Sequence, residues 1–279
     1  MSVHQYSYKP VPEYKDTRDV VTPGKKLFMG FELEVEVANG DYYDVSDNLE
    51  HEISRKDPDR RGFFYCKEDG SLDDGFEVVS HPMTWDWIKA KRDLIVSTLK
   101  YLEEHGAKSY DTSTCGLHIH VSKSALGKRT LQRMLEFVFS NPGLILKISR
   151  RQQTKLDEWA ACRLDDYNRR TAMSLTSTTK TRRLALNTLP KHTAEFRLFR
   201  GTLNPVGFFR ALEFVHACVS FCRGGAPILN VTEFARFVRS NKAEYPNLHR
   251  FLLEAYRIGI KKTKVKEKDA AFAASCPAA

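Results

Sequence analysis

The stretch that most constrains the fold is residues 28–37, FMGFELEVEV, in which apolar and acidic side chains alternate. In a β-strand, successive side chains point to opposite faces, so this pattern gives one apolar face and one face with glutamates about 6.8 Å apart. Like charges in such a row repel one another, and either water or a bound cation must compensate them. A solvated edge strand and a divalent-cation site both fit this strand alone. The glutamates are Glu32, Glu34 and Glu36, and the apolar residues are Phe31, Leu33, Val35 and Val37.

The length and composition are ordinary for a soluble globular protein. The 279 residues are 42% hydrophobic and 28% charged, enough for one large core or two modest ones. The sequence shows no run of the eighteen or so apolar residues that a membrane span needs, and its first residues do not resemble a signal peptide. Six cysteines are scattered without a C-x-x-C pair, which indicates free thiols in a reducing compartment. We therefore expect a cytoplasmic protein that does not enter a membrane.

The net charge of +9 is unevenly distributed along the chain. Residues 1–149 hold 20 basic and 24 acidic side chains, whereas residues 150–210 hold 13 and 5. An acidic first half beside a basic middle suits a metal site that faces a phosphate-binding surface. It also suits a surface that binds a nucleic acid, and charge alone does not separate the two interpretations.

Apolar periodicity and end signals predict the remaining elements. The segment 63–82 predicts a strand, a turn at Asp69-Gly70-Ser71 and a second strand. Further strands are predicted at 115–122, 184–187 and 193–201. Residues 163–182 show no clear period and are interpreted as an active-site loop. Helices are predicted within 39–57, 84–105, 130–141, 143–151 and 205–222, from a cap at Thr232, and over about 245–258.

Four of these strands share one arrangement, with an apolar face and a second face that carries metal-ligand or anion-binding groups. After the glutamate strand, Glu77 alternates with apolar neighbours in the second strand. His118 and His120 alternate with apolar residues in the third strand, and Glu195 and Arg197 do so in the fourth. A sheet with helices packed on its apolar side would bring the four polar faces together.

The groups on this shared face fit a hard divalent cation. Carboxylates with few imidazoles favour Mg²⁺ or Mn²⁺ over zinc, although Cys115 with the two histidines keeps zinc as an alternative. Two Mg²⁺ ions would suit phosphoryl transfer, in which arginines neutralise developing charge. No P-loop and no G-x-G-x-x-G motif is present, so a nucleotide would have to bind through the sheet and metals. The arginines available for phosphate are Arg182, Arg183, Arg197 and Arg200.

The motifs resemble the amidoligase family of the carboxylate–amine ligase superfamily, which includes glutamine synthetase and glutamate–cysteine ligase. In chain order they are Gly30-Phe31-Glu32-Leu33-Glu34, Asp69-Gly70-Ser71 leading into Gly75-Phe76-Glu77, Gly116-Leu117-His118-Ile119-His120-Val121, and Glu195-Phe196-Arg197. The resemblance covers about residues 27–220. It implies an α+β fold: a glutamine synthetase-like antiparallel sheet with a concave active-site face, helices on its other face, and a helical C-terminal part.

The resemblance also implies roles for the site residues. Glu32, Glu34, Glu77 and His118 would bind metal, and Glu195 would hold the metal between the ATP phosphates. Arg197 would bind the substrate carboxylate or the transferring phosphate, with Arg183 and Arg200 as further catalytic candidates. The predicted nucleotide contacts are His120, Ser122, Arg182, Asp69 and Ser71, and Asp69 and Glu36 are candidates for an accessory role.

The implied activity is an amidoligase that depends on ATP and Mg²⁺, with Mn²⁺ as an alternative. ATP would phosphorylate a small-molecule or peptide carboxylate, and an amine would attack the acyl phosphate to give an amide. The glutamate flap and ammonia pocket of glutamine synthetases cannot be located in the sequence, so glutamine synthesis itself is not expected. A homo-oligomer is compatible with the sequence, and a nucleic-acid partner is not expected.

Two other functions stay open at this point. A His-x-His metal-dependent hydrolase would activate water and turn over without ATP. A basic nucleic-acid-binding protein would use residues 150–210 and the C-terminal lysines, which leaves the inward glutamates unexplained. In the ligase interpretation, we expect an N-terminal arm at 1–26, a catalytic domain at 27–223, and a helical appendage at 224–279 with a basic, partly disordered tail.

Overall fold

The structure is a computed structural model that describes most of the chain. The described residues are 3–17, 26–37, 41–57, 62–72, 74–110, 112, 114–162 and 183–262, with the helical backbone alone for 256–262. They form an α+β fold, an antiparallel sheet with helices, which confirms the predicted class. The predicted loop 163–182, including Arg182, lies outside the described residues, as does the tail after residue 262.

Eight strands of the described chain form one sheet. They are β1 (Phe28–Val37), β2 (Phe64–Lys67), β3 (Gly75–Ser80), β4 (Met83–Thr84), β5 (Ala107–Lys108), β6 (Gly116–Ser122), β7 (Leu186–Asn187) and β8 (Thr193–Arg200). The order across the sheet is β2-β3-β1-β6-β8-β7, with β4 and β5 each paired to β1, and these pairings are antiparallel. Because β1 has neighbours on both sides, its glutamates do not lie on an edge strand.

The described residues also form nine α-helices. They are α1 (Tyr42–Lys56), α2 (Trp85–Ala90), α3 (Arg92–Glu104), α4 (Lys128–Ser140), α5 (Pro142–Ser149), α6 (Gln153–Trp159), α7 (Pro205–Arg223), α8 (Val231–Ser240) and α9 (Pro246–Lys262). The helix predicted over 84–105 is broken at Lys91 into α2 and α3. The predicted cap of α8 at Thr232 was wrong, because Asn230 accepts the hydrogen bond from the Glu233 N–H and begins the helix earlier.

The apolar face of the central strands forms the core. Leu33 and Val35 of β1 are fully buried, and the Phe31 ring meets Phe208 of α7 edge-on at a centroid distance of 5.0 Å. Helix α7 is long and apolar enough to cross a membrane, but 67% of that window is buried inside the fold, as in a core helix. Arg210 interrupts the apolar sequence of α7, so this helix contains no unbroken apolar run long enough to span a membrane.

Both ends of the described chain are attached to this core. At the N-terminal end, His4 forms a parallel β-bridge with Lys67 of β2, and Lys15 forms another with Met83 of β4. At the C-terminal end, Glu213 of α7 is 2% exposed and accepts a hydrogen bond from the Leu248 N–H at 2.7 Å. The Asn247 amide donates to the same carboxylate, so the first turn of α9 is held against α7.

Strand β8 carries one extra residue opposite β6. Leu117 pairs with Phe199 and Ile119 pairs with Phe196, so three steps along β8 match two along β6. After this bulge the alternation is reversed, and Arg200 pairs with Gly116. Simple alternation would place Arg200 on the apolar face, whereas the bulge places it on the polar face of the sheet.

Candidate active site

The pairing of the central strands places the predicted metal ligands side by side on the polar face. The opposed pairs are Glu34 with Glu77, Glu32 with His118, and His120 with Glu195. Two of these pairs join an acid to an imidazole, and the third sets two carboxylates directly against each other. Like charges in that position destabilise a sheet unless a positive charge lies between them.

Two imidazoles lie among the carboxylates. His118 Nδ1 is 3.5 Å from Glu32 Oε2 and 3.7 Å from Glu195 Oε1, and His120 Nε2 is 3.4 Å from Glu32 Oε1. Both nitrogens are buried, and neither has a hydrogen-bond partner of good geometry among the described residues. Buried polar atoms normally have such partners. These nitrogens instead share a small space with carboxylate oxygens, as ligands of a common cation do.

Among the described residues, three overlapping groups could hold a metal ion. In each group the ligand atoms lie within 4.8 Å of one another. The groups are Glu32, Glu77 and His118; Glu32, His120 and Glu195; and Glu34, Asp69 and Glu77. We call these seven residues the carboxylate–imidazole cluster. It contains all five residues predicted as metal ligands, and adds His120 and Asp69, which were predicted as nucleotide contacts. Its oxygen-rich donor set is the kind that Mg²⁺ or Mn²⁺ prefers.

The crowded charges alter protonation within the cluster. Burial, together with the charge of Glu32, raises the pKa of Glu77 to about 8, and burial also raises the pKa of Glu34. Burial opposes ionisation of Glu32 too, but the charges of His120 and His118 outweigh it and hold the Glu32 pKa well below its usual value. Burial likewise opposes the charge on His120, yet Glu32 raises the His120 pKa. The raised pKa values mean that Glu77, Glu34 and His120 tend to hold protons, which offset the negative charge of the cluster. A bound cation would replace these protons.

Neighbouring side chains hold the cluster in position. Lys67 Nζ lies 2.9 Å from Glu77 Oε2, and the Asn187 amide donates to Glu195 Oε2 at 2.8 Å. Arg197 pairs with the other oxygen of Glu195. Lys67 and Asn187 were not among the predicted site residues. Alternation along β2 would have pointed to Lys67, whereas Asn187 depends on the pairing of β7 with β8, which no local pattern gives.

Glu36, a candidate for an accessory role, and Cys115, the sulfur ligand of the zinc alternative, lie apart from the cluster. Glu36 accepts a hydrogen bond from the Thr114 hydroxyl and joins none of the three candidate metal groups. Cys115 is buried, its Sγ faces the Lys108 carbonyl at 3.9 Å, and burial raises the pKa of its thiol to about 12. Cys115 also joins none of the candidate metal groups among the described residues. The zinc alternative therefore lacks its sulfur ligand there.

A groove of about 1030 Å³ opens beside the cluster, at the end of the sheet where β1 begins and β6 ends. Its lining combines the aromatic rings of Tyr14 and Phe28 with the basic side chain of Lys123. His120 and Ser122, two predicted nucleotide contacts, both line it, and Ser122 Oγ accepts a hydrogen bond from the Phe28 N–H at 3.0 Å. A groove of this volume, apolar with a few polar groups, is typical of a small-molecule or cofactor site.

A recess of about 720 Å³ lies at the opposite end of the sheet, beside the turn at Asp69. Tyr6, Tyr42 and Glu68 also line it. The Ser71 N–H and hydroxyl both donate to Asp69 Oδ1, at 2.7 and 2.6 Å, and these bonds hold this carboxylate of the cluster in place. The structure therefore separates Asp69 and Ser71 from the groove that contains the other described nucleotide candidates.

The predicted arginines occupy different surroundings. Arg197 lies at the cluster, and the bulge in β8 places Arg200 on the same face of the sheet. Arg183 is exposed, and its guanidinium lies over the Trp159 ring at 4.7 Å. Arg182 is outside the described residues.

Arg151, which follows α5, is an additional arginine of the site. Its Nη2 donates to the Phe199 carbonyl at 2.9 Å and lies 2.7 Å from where a Cβ on Gly116 would stand. Glycine at position 116 therefore makes room for this guanidinium. Burial lowers the pKa of Arg151, while the charge of Glu34 opposes that shift. No sequence pattern marks Arg151, because it reaches the sheet from the end of a helix.

The chain matches a known protein family. Residues 42–219 match the model of a family described as "Putative amidoligase enzyme". This range is more than half of the chain and includes β2 through β8, although it begins after β1. No curated protein matches the chain. The match agrees with the family that the motifs of all four strands resemble. The chain therefore belongs to the amidoligase family of ligase-type enzymes.

Proposed function

We propose that the protein is an ATP-dependent carboxylate–amine ligase with a glutamine synthetase-like active-site sheet. The observation that carries the proposal is the carboxylate–imidazole cluster beside a groove large enough for a nucleotide. In the proposed reaction, ATP transfers its terminal phosphoryl group to a carboxylate, giving an acyl phosphate and ADP. An amine then displaces phosphate and forms the amide.

The residues of the cluster fit Mg²⁺ or Mn²⁺, since two buried imidazole nitrogens, which have no hydrogen-bond partner in the described part of the chain, face carboxylate oxygens there. Glu32, Glu77 and His118 would hold one ion, and Glu32 would share a second with His120 and Glu195. When bound, such ions neutralise the charge of the phosphates and orient them.

The protein's other side chains would bind and orient the reactants. Tyr14, whose ring packs edge-on against the buried Phe28, offers apolar surface for the nucleotide base in the groove. Arg197, beside Glu195, is placed to neutralise charge on the carboxylate or the phosphoryl group, and Arg183 and Arg200 stay predicted contributors. We assign the amine to the opposite recess, where Asp69 and nearby tyrosine rings would attract an ammonium group.

Thermal denaturation with ATP and Mg²⁺ tests the nucleotide part of the proposal. A ligand at ten times its Kd stabilises the folded state by about 1.4 kcal/mol, which is about 3–6 °C for a chain of this size. Glu32→Gln and His118→Asn should abolish this shift. Glu233→Gln changes a half-buried glutamate of α8 outside the cluster. It is the matched control and should keep the shift. No shift of the wild-type protein at millimolar nucleotide would contradict the proposal.

The amide-forming step is tested with hydroxylamine as the amine and a panel of carboxylic acids. The proposal predicts ATP-dependent release of phosphate together with a hydroxamate. Turnover of an ester or amide without ATP would support the hydrolase instead. Nucleic-acid binding that falls steeply with salt and survives Glu32→Gln would support the third interpretation.

A further inference from the structure

A third recess lies at the end of β8, away from the groove. It is a cleft of about 380 Å³ between the end of α5, the beginning of α7 and residues 199–202. Arg150, Arg200 and Arg210 line it, and Glu103 is the one carboxylate among its described lining residues. We call it the arginine cleft. Its volume is at the small end of ligand sites and suits an ionised group with a few carbon atoms.

The cleft brings like charges together. The Arg210 guanidinium lies over the Phe251 ring at 4.9 Å. Burial and the charge of Arg150 lower the pKa of Arg210, while the charges of Glu254 and Glu213 oppose that shift. Arg210 Nη2 is 3.7 Å from where a Cβ on Gly207 would stand, so it lies at the first turn of α7. The N-terminal end of a 19-residue helix is itself positive. An anion is the simplest group that would relieve this accumulation of positive charge.

Arg150 is an unusual residue for its position. It ends α5 in the left-handed conformation, with φ 60° and ψ 13°, and is the one non-glycine residue of positive φ among those described. Glycine or asparagine normally occupies such a position, because a longer side chain is strained there. The chain instead has an arginine, whose charge contributes to the cleft.

A row of arginines connects the cleft with the carboxylate–imidazole cluster. Arg200 pairs with Gly116, on the face of the sheet that carries Glu34 and His118. Arg151 Nη2 lies 2.7 Å from where a Cβ on Gly116 would stand, and Glu34 Oε2 and His118 Nε2 each lie 3.3 Å from the same point. The arginines between cluster and cleft are Arg197, Arg151, Arg200, Arg150 and Arg210.

We infer that the arginine cleft binds a second anionic group of the acid substrate, a carboxylate or phosphate remote from the carboxylate that is activated. This inference rests on the proposed function and specifies its substrate class: a dianionic or polyanionic acid. Guanidinium groups bind carboxylate and phosphate through paired, charge-assisted hydrogen bonds. A monocarboxylate of equal length would leave the cleft arginines without this partner.

Titration calorimetry on protein freed of metal, chelator and nucleotide tests the inference. The probes are glutarate, butyrate and inorganic phosphate at low salt. Glutarate should bind at least tenfold more tightly than butyrate, and Arg150→Asn and Arg210→Gln should each weaken its binding at least tenfold. Asparagine tolerates the left-handed backbone, so Arg150→Asn removes the charge without disturbing the turn. Arg236→Gln, which removes an exposed arginine paired with Glu233, is the control.

Phosphate binding serves to identify the remote group. Tighter binding of glutarate assigns it as a carboxylate, and tighter binding of phosphate assigns it as a phosphate, provided that the same variants weaken either one. Equal affinities of the wild type and both cleft variants, or no binding of any probe at about 10 mM, would overturn the inference. The response of the wild type to ATP and Mg²⁺ is independent. If it fails while the anions bind, the ligase proposal is wrong and the cleft remains an anion site.

Discussion

Replacing Glu77 by glutamine should make the metal-free protein more stable, even though Glu77 belongs to two of the three candidate metal groups. Its carboxylate is 3% exposed, opposes Glu34 across the sheet, and lies beside Lys67. Burial and the charge of Glu32 raise its pKa to about 8 despite the attraction of Lys67. The ionised form is therefore unfavourable in the fold. Glutamine keeps the shape and an acceptor for Lys67, but removes the charge.

The magnitude follows from proton linkage. The folded protein holds the Glu77 proton up to about pH 8, whereas the unfolded chain releases it near the ordinary value of 4.5. Between these values the unfolded state binds fewer protons, so the free energy of unfolding falls as pH rises. At pH 7 this amounts to at most about 3.5 kcal/mol, at ~1.4 kcal/mol per pH unit. Relaxation of the surroundings reduces the expected gain to about 1–2 kcal/mol.

Thermal denaturation in chelator at about pH 5, 7 and 8 measures the effect. The melting temperature of Glu77→Gln should exceed that of the wild type by about 2–8 °C at pH 7, and the difference should shrink toward pH 5. Stabilisation by Mg²⁺ should weaken in the same variant, because a ligand is lost. Glu233→Gln changes a half-buried glutamate outside the cluster and should show no gain at any pH.

The result that would refute this reasoning is a Glu77→Gln variant less stable than the wild type at pH 8 without metal. Breaking a buried ion pair typically costs about 3–5 kcal/mol, because the remaining charge is left buried. That outcome would mean that the Lys67–Glu77 pair outweighs the repulsion among the carboxylates. The site would then be stable without a cation.

Three further predictions concern the support of the site, the sheet and the core. Asn187→Ala releases Glu195 and should raise the Mg²⁺ concentration for half-maximal stabilisation about tenfold. Gly75→Ala places a Cβ 2.1 Å from the β1 backbone and should cost about 3 kcal/mol or more in urea denaturation, whereas Gly70→Ala meets open space and should be near neutral. Burial lowers the pKa of His216 to about 4 against 6.5 unfolded, so the wild type should lose about 2 kcal/mol between pH 7 and 5 that His216→Phe does not lose.

The polar and apolar faces of β1, β3 and β6 could be predicted from the sequence, because each of these strands buries one face completely. Glu32, Glu77 and His118 reach the same face for that reason. The α+β class follows from the same alternation combined with the helical segments between the strands. The alternation of residues along one strand was sufficient to predict the face of a side chain wherever that strand is regular.

Contacts that depend on pairing between distant segments could not be predicted. The alternation of β8 points Arg200 toward the core, and only its pairing with β6 reveals the bulge that reverses it. Arg151 arrives from a helix end, and Asn187 acts across a strand pair. Asp69 is separated from the groove because its turn lies at the opposite end of the sheet, and that position also depends on strand pairing.

The bulge in β8 has a consequence for the comparison of related sequences. Five residue steps separate Glu195 from Arg200, an odd number that ordinarily puts two side chains on opposite faces. A relative with one residue fewer at this point, and a regular strand, would show its arginine on the same face as here. A one-residue gap between these two positions is therefore structurally silent, whereas the same gap in β1 would turn every later side chain over. An alignment of related sequences should therefore match their arginines to Arg200, even where this requires a one-residue gap in β8.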